Sequence, residues 1–202
     1  MPTAAKTSRA QAARPPKQRD SVRTKAAILA AAQKAFETRG YADVGIRDIA
    51  AEAGINSALV LRYFGSKELL FRAALADAID VAPLIAGDPR RFGRNVVGLF
   101  LDAPRQNPNS LPMMILATAD PAARAVALEL LHALVIEPIA AWLGGDDGEA
   151  RAARISMLCS GFFTYWTLLP VRAFAGGIDP ATRRWLEAAL QAVVDRTDAP
   201  PP

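Results

Sequence analysis

The sequence predicts an all-α protein of about nine helices. Three observations support this class. Apolar residues recur three and four positions apart along most of the chain, which is the spacing of one face of a helix. Glycines at residues 40, 54 and 65 separate short apolar segments, as expected where helices end. Further along, Asp-Pro dipeptides at 88–89, 120–121 and 179–180 are typical helix starts, with Asp as the capping residue and Pro at the first helical position.

Composition is that of a globular protein and excludes several kinds of site. The apolar fraction is 51% and the charged fraction 22%, and no run of about 18 apolar, uncharged residues predicts a membrane span. Basic residues near the N-terminus are not followed by an apolar segment, so we expect no signal peptide. The single cysteine, Cys159, excludes an internal disulfide and a cysteine-based zinc site.

The positive charge is concentrated in the first part of the chain. Residues 1–80 hold 13 Lys or Arg against 8 Asp or Glu, whereas residues 81–202 hold 11 against 12. The net charge of the whole chain is +4, so the first 80 residues supply all of the excess. An excess of Lys and Arg is what binding to phosphate groups requires.

Residues 1–20 are predicted to be a disordered basic tail, because they are rich in Ala, Pro, Lys and Arg and lack apolar periodicity. A first long helix then runs from Asp20 or Ser21 to Arg39. Its apolar stripe would form a three-helix core with the next two helices. The expected core residues are Ile28, Leu29, Ala32, Ala35, Phe36, Ile46, Ile49, Leu59 and Phe64.

Residues 46–71 have the pattern of a helix-turn-helix. Gly54 and Gly65 end two short helices, 46–53 and 57–64, and Ser66 caps the helix that follows. A short helix, a turn containing Gly and a second short helix form a DNA-reading unit in which the second helix enters the major groove. We therefore predict a DNA-binding domain at residues 21–67, with 57–64 as the reading helix.

Two segments of this unit, residues 47–54 (RDIAAEAG) and 63–68 (YFGSKE), resemble the tetracycline-repressor (TetR) family of bacterial regulators. The resemblance covers roughly residues 22–72, and both motifs occur at the family's separation. The sequence departs from the family at Gly45, where Ser or Thr is usual, so a hydroxyl contact to phosphate would be lost. It departs again at Leu61, where the family often has Tyr.

The expected DNA-facing residues come from this resemblance and from the reading helix. Lys67 lies in the first turn of its helix, where the dipole and the backbone N–H groups favour a phosphate, and the family places a phosphate contact at this Lys. Arg62 is compatible with guanine pairing and equally with a phosphate or solvent, and Tyr63 either adds its hydroxyl or is wholly core. The resemblance implies phosphate contacts for the first helical turn, for which a solvated helix start is the alternative. The full set is Arg23, Thr24, Gly45, Arg47, Asn56, Ser57, Ala58, Leu61, Arg62, Tyr63 and Lys67.

Residues 68–202 are predicted to form a helical ligand-binding and dimerisation domain. The helix from Ser66 to about Val81 starts in the DNA-binding unit and ends in this domain, and in family members it links ligand to DNA mechanically. Pro138 should kink the helix predicted over residues 121–143. The later helices are predicted over residues 89–103, 111–118, 121–143, 149–174 and 180–196.

A group of aromatic and Met side chains in this domain either lines an apolar ligand pocket or is plain core. The group exceeds what a small helical core needs, and adaptable Met suits a promiscuous binder. His132, the only histidine, is expected to be half-buried and hydrogen-bonded locally, or alternatively to be a polar group in a ligand cavity. Cys159 is expected to be a buried small hydrophobe. The candidate pocket residues are Phe92, Phe100, Met113, Met114, His132, Phe162, Phe163, Tyr165 and Trp166.

Two helices have more apolar surface than one subunit can cover. The helix over 149–174 is apolar almost all round after Arg154, and the helix over 180–196 has an apolar stripe. A second copy could cover the remainder, since symmetric dimers are common and helix-turn-helix proteins usually read two half-sites. In the TetR family the last two helices of each subunit form such an interface. The expected interface residues are Phe162, Leu169, Trp185, Leu186, Ala189 and Val193.

No catalytic motif of the GxSxG, Walker, HExxH or GxGxxG type is present, so we predict that the protein is not an enzyme and has no cofactor or metal. The first hypothesis is a cytoplasmic, nucleoid-associated bacterial repressor that binds a palindromic operator as a homodimer and is released by a small apolar or amphipathic effector. The second is a constitutive or partner-controlled regulator of the same fold without a ligand. Neither hypothesis involves a membrane. The basic tail is either solvated or an arm along the DNA.

Overall fold

The computed structural model describes residues 16–102 and 109–197, and all regular secondary structure in those ranges is helical. This confirms the all-α prediction. Two 3₁₀ turns, Pro89–Arg91 and Arg172–Phe174, and two π-helical segments, His132–Ile136 and Thr164–Leu168, accompany the α-helices. The α-helices are α1 (Pro16–Arg39), α2 (Ile46–Glu52), α3 (Ser57–Phe64), α4 (Lys67–Ala78), α5 (Ala82–Ile85), α6 (Phe92–Asp102), α7 (Ser110–Ala117), α8 (Pro121–Leu131), α9 (Glu137–Leu143), α10 (Gly148–Phe163) and α11 (Pro180–Asp195).

The first helix begins earlier than predicted. α1 starts at Pro16 rather than at Asp20 or Ser21, so the end of the expected tail is helical, while residues 1–15 lie outside the described part of the chain. A proline suits the first turn of a helix because its φ is already helical and its missing N–H has no intrahelical partner there. Gly40, with a φ of 77°, follows the end of the helix at Arg39, as predicted.

The N-terminal helices pack around a first core that contains Ile28, Phe36, Ile49 and Val60. The prediction that Leu59 fills this core is wrong: Val60 is fully buried and Leu59 is only half-buried. Successive residues of an α-helix point about 100° apart, so only one of two neighbours can face the core. Val60 shares its face with Phe64, which lies one turn further along and is also buried.

Side-chain caps hold the short helices, and the predicted cap at Ser66 is present. Asn56 Oδ1 accepts a hydrogen bond from the backbone N–H of Ala58 at 2.8 Å, and Ser66 Oγ accepts from the N–H of Leu69 at 3.1 Å. The turns on either side of α3 need glycine, because Gly54 and Gly65 have φ values of 67° and 81°. The reading helix is therefore fixed at both ends.

The helix predicted to link the DNA-binding unit to the ligand-binding domain is shorter than predicted. α4 ends at Ala78 rather than near Val81, because Ile79 takes extended backbone and Asp80 accepts a hydrogen bond from the N–H of Ala82 at 3.0 Å to start α5. The first core continues across α4 into α7 and α8, where it includes Met113. α4 is thus packed into both parts of the molecule.

A second core lies among α6, α9, α10 and α11, around Phe92, Ile155 and Leu190. α6 and α11 approach very closely: a Cβ atom added to Gly93 would lie 1.9 Å from the carbonyl oxygen of Glu187. Only a glycine permits this approach of two helix backbones.

Prolines explain two departures from regular α-helix. Pro138 has no N–H to donate, and the chain makes the π-helical segment His132–Ile136 just before it, with the N–H of Glu137 donating to His132 O. The predicted kink at Pro138 therefore takes the form of a widened turn. The helix predicted over 149–174 is too long, because it ends with the second π segment at Leu168, ahead of Pro170.

One helical stretch, Pro121–Leu143, is long and apolar enough to cross a membrane, with a mean hydropathy of 1.7. Its most apolar part is 28% buried, and a single helix of this length and composition is weak evidence for a membrane span. In this stretch Val126 is buried in the first core and Glu129 pairs with Arg72 of α4. The stretch is packed as part of the helical domain.

Candidate nucleic-acid interface

α3 turns one face to the first core and leaves another face open. Val60 and Phe64 are buried, whereas Ala58, Leu61 and Arg62 are exposed. Three residues that the sequence predicts to face DNA therefore share the outer surface of the reading helix. A guanidinium and an apolar side chain on such a surface can contact a guanine edge and a thymine methyl group.

The start of α2 lies beside this helix in the motif and lacks the usual hydroxyl. Gly45 is the N-cap, and its N–H donates to the carboxylate of Asp48 at 2.8 Å. Arg47, the second helical residue, is exposed. The carboxylate of Asp48 therefore bonds the backbone N–H of the N-cap, and the helix start is intact although Gly45 has no hydroxyl. The hydroxyl that could contact a phosphate is still absent.

Lys67 is held in place by an aromatic ring. Its Nζ lies 4.1 Å from the ring centroid of Tyr41, a cation–π distance, and Tyr41 in turn stacks on Phe36 of the first core. Lys67 is the first residue of α4, directly after the capping residue Ser66. An ammonium group placed over a ring face keeps N–H donors for a phosphate oxygen. Tyr63 is half-buried and its ring packs against the first core.

Of the two α1 residues predicted to contact phosphate, Arg23 and Thr24, only Arg23 keeps its hydrogen-bond donors available. Arg23 is exposed, and no acidic side chain in the described ranges pairs with it. The hydroxyl of Thr24 instead donates to the carbonyl oxygen of Asp20 at 2.7 Å. In this conformation Thr24 has no proton left for a phosphate, so Arg23 is the better candidate of the two.

Two acidic side chains near the reading surface, Glu52 and Asp48, are already engaged. The carboxylate of Glu52 pairs with Lys34 at 2.5 Å, and this hydrogen bond holds the pKa of Glu52 below its ordinary value. Asp48 caps α2 and lies 3.9 Å from Arg39. The exposed Arg47 and Arg62 have no such partner among the described residues, so positive charge remains at the surface.

The predicted ligand-pocket residues do not form one group. Met113 is fully buried in the first core and Met114 packs against it, whereas Phe92 belongs to the second core and contacts the tilted ring of Trp142 with ring centroids 5.1 Å apart. Phe163 is buried. Met113 and Phe92 are therefore ordinary core residues, which was the alternative to pocket lining for this group.

Three of the predicted pocket residues do meet, in an aromatic row. Phe100 contacts Phe162, Phe162 stacks on Trp166, and Trp166 contacts Phe174, with ring centroids 6.1 Å apart at each step. We define the aromatic row by these four residues. The spacing of four between Phe162 and Trp166 predicts their contact. It does not predict the contact with Phe174, because the helix ends at Leu168 and Phe174 lies in the separate 3₁₀ turn Arg172–Phe174.

His132 and Tyr165 lie at the surface instead of in a pocket. Tyr165 is 54% exposed. The His132 ring lies between two carboxylates, with Nδ1 3.1 Å from Glu137 Oε1 and Nε2 3.3 Å from Glu149 Oε1. Hydrogen bonds to Glu149 and Glu137 raise the pKa of His132 above its ordinary value. The local hydrogen bonding was predicted correctly, but the ring is more exposed than expected. Cys159 is buried as predicted, and burial raises the pKa of its thiol to about 12.

The predicted dimer residues separate into interior and surface positions. Leu186 and Val193 are buried in the second core of their own subunit, so they cannot reach a second copy directly, and Ala189 is half-buried. Leu169 and Trp185 are 63% and 62% exposed. Phe162 is half-buried in the aromatic row.

An apolar surface on α10 and α11 remains open in the described structure. On α10, Met157, 72% exposed, and Gly161 lie one turn apart, and Tyr165 continues this line. On α11, Trp185 and Ala188 are exposed one turn apart. We call these five residues the α10–α11 face. Met157 is not among the predicted interface residues, although its spacing of four and eight from Gly161 and Tyr165 places it on the same side of the helix.

The comparisons with known proteins cover both parts of the chain. Residues 28–74 match the family described as bacterial regulatory proteins, tetR family, and residues 91–194 match the tetracyclin repressor-like C-terminal domain. An HTH-type transcriptional repressor of Mycobacterium tuberculosis (strain ATCC 25618 / H37Rv) is 52% identical over 50 residues, which are 25% of this chain and 27% of that protein. The chain thus matches only about a quarter of that relative's length.

Solved structures share the fold at low sequence identity. A TetR-family regulator from Streptomyces coelicolor A3 is 24% identical with a TM-score of 0.53, covering 91% of this chain and 99% of that chain. The multidrug binding protein EbrR, solved in complex with ethidium, is 22% identical with a TM-score of 0.61, covering 84% of this chain and 98% of that chain. With both of its domains matched, the chain belongs to the tetR family of bacterial regulatory proteins, which are DNA-binding transcriptional regulators and not enzymes.

Proposed function

We propose that the protein is a homodimeric repressor that binds a palindromic operator and leaves it when a small apolar or amphipathic effector binds the C-terminal domain. The observation that carries this proposal is the division of α3. Its core face is occupied by Val60 and Phe64, and its open face presents Ala58, Leu61 and Arg62. A helix fixed by its buried face and by two turns presents its outer side chains to the major groove in one orientation.

The basic surface around α3 supports DNA as the partner. Arg47 and Arg62 are exposed and have no acidic partner among the described residues. Lys67 is fixed over Tyr41 at the first turn of α4, where backbone N–H groups add to its attraction for a phosphate. Phosphate contacts of this kind orient the protein, while the outer face of α3 reads the bases.

Dimerisation is supported by the α10–α11 face. Met157, Tyr165 and Trp185 are each more than half exposed, which is unfavourable for side chains of this size grouped on adjacent helices. A second copy that covers the same face would form a symmetric interface. Two reading helices related by this symmetry would bind the two halves of a palindrome.

The aromatic row supports an effector with a flat or amphipathic shape. Phe100, Phe162, Trp166 and Phe174 offer a continuous set of rings, and Trp166 lies in the π-helical segment Thr164–Leu168. π-Helical turns occur frequently at functional sites. EbrR, a protein of the same fold, holds ethidium, which is a flat aromatic molecule.

The alternative of a regulator without a ligand has one observation in its favour. Phe92, Met113 and Phe163, all predicted to line a pocket, are buried side chains that fill the interior. Under either alternative the protein acts on the chromosome, so we place it in the cytoplasm with the nucleoid.

Selection of bound sequences from randomised duplex DNA tests the proposal. We expect a palindromic site with half-site centres about one helical turn, or a whole multiple of it, apart. A wild-type protein that enriches no sequence, or only a non-palindromic one, would contradict the dimeric repressor. To separate the two alternatives, a panel of flat aromatic and amphipathic compounds is added to the selected complex. Release of DNA by any compound that also raises the melting temperature supports the effector-controlled form.

A further inference from the structure

A groove between α6 and α11 is lined mainly by arginine. It is a shallow, open groove with a volume of about 330 Å³, and its arginines are exposed. The 3₁₀ turn Pro89–Arg91 and the start of α6 form one wall, and α11 forms the other. The lining residues are Arg90, Arg91, Arg94, Arg184, Glu187, Ala188 and Gln191.

The positive charge of this groove is not balanced from within. Residues 81–202 carry 11 basic and 12 acidic residues, yet four of the basic ones line this single groove. Of the acids nearby, Asp88 pairs with Arg90 at 3.2 Å and Glu187 pairs with Arg183 at 2.9 Å.

Three guanidinium groups are left after these pairs. Arg91, Arg94 and Arg184 have no carboxylate within ion-pair distance in the described ranges. Like charges gathered in one groove repel each other, and a bound anion would relieve this repulsion.

The backbone that carries these arginines is held rigidly. Gln191 of α11 donates from Nε2 to the carbonyl oxygen of Pro89 at 3.0 Å and accepts at Oε1 from the N–H of Gly93 at 3.2 Å. Gly93 itself lies against the backbone of Glu187. The turn and the start of α6 are therefore fixed to α11, and the arginine side chains start from fixed positions on both walls. Such preorganisation reduces the entropy lost on binding.

We propose that this groove binds a small anion that carries two or more negative charges, with a pyrophosphate or phosphate-ester group as its recognised chemistry. The planar fork of a guanidinium matches the oxygens of a phosphate and binds them in pairs. Three such forks on two walls can surround one phosphorylated group from several sides. The site lies apart from the aromatic row and from the outer face of α3, and the proposal requires neither an operator nor an effector. Ala188 belongs both to this lining and to the α10–α11 face, so a dimer formed through that face would border the groove.

The test uses inorganic pyrophosphate as the probe, titrated calorimetrically into the full-length protein at constant ionic strength. The groove variant R94Q/R184Q removes two charges from the lining. The matched control R124Q/R172Q removes two exposed arginines that lie outside the groove. We expect saturable binding to wild type and control, and binding at least tenfold weaker to the groove variant. The melting temperatures of wild type and control should rise with pyrophosphate, and that of the groove variant should not.

Three outcomes would overturn the proposal. The first is a wild-type response no larger than that produced by sodium chloride at the same ionic strength. The second is equal weakening in the groove variant and the control, which would indicate general charge attraction only. The third is weaker binding of the groove variant to duplex DNA with no pyrophosphate binding by wild type, which would make these arginines DNA contacts. Circular dichroism checks that the double variants fold. The single variant Arg91→Gln, on the wall that carries Arg94, should also weaken pyrophosphate binding.

Discussion

The guanidinium group of Arg72 donates to both carboxylate oxygens of Glu129, with N···O distances of 2.6 and 2.7 Å. Arg72 lies on α4, which begins beside the reading helix, and Glu129 lies on α8 of the C-terminal domain. Two parallel hydrogen bonds fix the orientation of the pair as well as its distance. Their hydrogen bonding lowers the pKa of Glu129 and raises the pKa of Arg72. The pair is a polar connection between the helix that carries the DNA-binding part and the domain that would bind an effector.

Replacing Glu129 by Gln should weaken the coupling between effector and DNA without unfolding the protein. Both side chains are largely at the surface, and surface ion pairs contribute little to stability. The measurement is DNA affinity with and without a saturating effector, since the ratio of the two affinities is the coupling factor. We expect this factor to fall in Glu129→Gln and to recover in the exchanged pair R72E/E129R. Unchanged coupling in Glu129→Gln would exclude the pair from the transmission.

The same connection should respond to acid. The pKa of Glu129 is lowered in the folded protein, so the stability contributed by its ionised form is present above the unfolded pKa of about 4.5. It is lost as the pH falls through the lowered folded value. Comparing melting temperatures of wild type and Glu129→Gln between pH 3 and pH 6 tests this direction: the difference should shrink as the pH falls.

His132 should titrate above its ordinary pKa and stabilise the protein on the acid side. Its raised pKa comes first from the hydrogen bond to Glu149 and then from that to Glu137. The contribution is therefore complete below the unfolded pKa of about 6.5 and is lost as the pH rises through the folded value. Because the chain has a single histidine, its imidazole NMR signals give the titration directly. Glu149→Gln should lower that pKa, whereas the distant Glu52→Gln should leave it unchanged.

Placing a charge on the α10–α11 face should separate the subunits. Trp185 is 62% exposed within the subunit, so Trp185→Glu leaves the fold intact but buries an unpaired carboxylate in a dimer, at a cost of several kcal/mol. Met157→Glu should act in the same way. We expect sedimentation equilibrium to show monomers for both variants at concentrations where the wild type is dimeric.

A control for this experiment lies on another helix. Leu128 of α8 is 65% exposed, about as exposed as Trp185, but it is not part of the α10–α11 face. Leu128→Glu should therefore remain dimeric. Leu186→Glu, which places the charge in the second core, should unfold the subunit instead. A folded, monomeric wild type would contradict the assignment of the face.

The helix starts could be predicted from the sequence because their causes are local. Asp120 accepts hydrogen bonds from the N–H groups of Ala122 and Ala123 at 3.0 and 2.9 Å, and Asp179 caps α11 in the same way. A capping side chain, a proline at the first helical position and a glycine after the last residue act within a few positions of each other. The helix-turn-helix is recognisable for the same reason.

Choices that depend on tertiary packing could not be predicted in the same way. Leu59 and Val60 are both apolar, and in a helix of eight residues the spacing alone does not decide which one faces the core. α10 is apolar on most sides, so its sequence does not distinguish buried Phe163 from exposed Met157. The arginine groove joins Arg94 to Arg184, which only the close packing at Gly93 brings together.

Lys67→Ala should weaken binding to every DNA sequence by a similar factor. Lys67 lies over the ring of Tyr41 at the start of α4, a position suited to contact with a phosphate. A phosphate contact positions the protein on DNA and carries no direct sequence information. The slope of log affinity against log salt should become shallower by about 0.9, the value for one phosphate contact on duplex DNA. Arg124→Ala, which removes one exposed charge from α8, is the control and should leave the slope unchanged. A sequence-dependent loss in Lys67→Ala would instead assign this residue to base reading.

Arg62→Ala should weaken operator binding selectively, because Arg62 lies on the open face of α3 with Ala58 and Leu61. If its guanidinium pairs with a guanine, its loss should cost about 1–3 kcal/mol on the operator and relax the preference at one position in each half-site. Binding to scrambled DNA should then fall much less, since that binding depends on phosphate contacts. The measurement is the affinity of wild type, Arg62→Ala and Lys67→Ala for operator and scrambled duplexes across one salt series. Equal losses of Arg62→Ala on both duplexes would place Arg62 on the DNA backbone and leave the bases to the other residues of the open face.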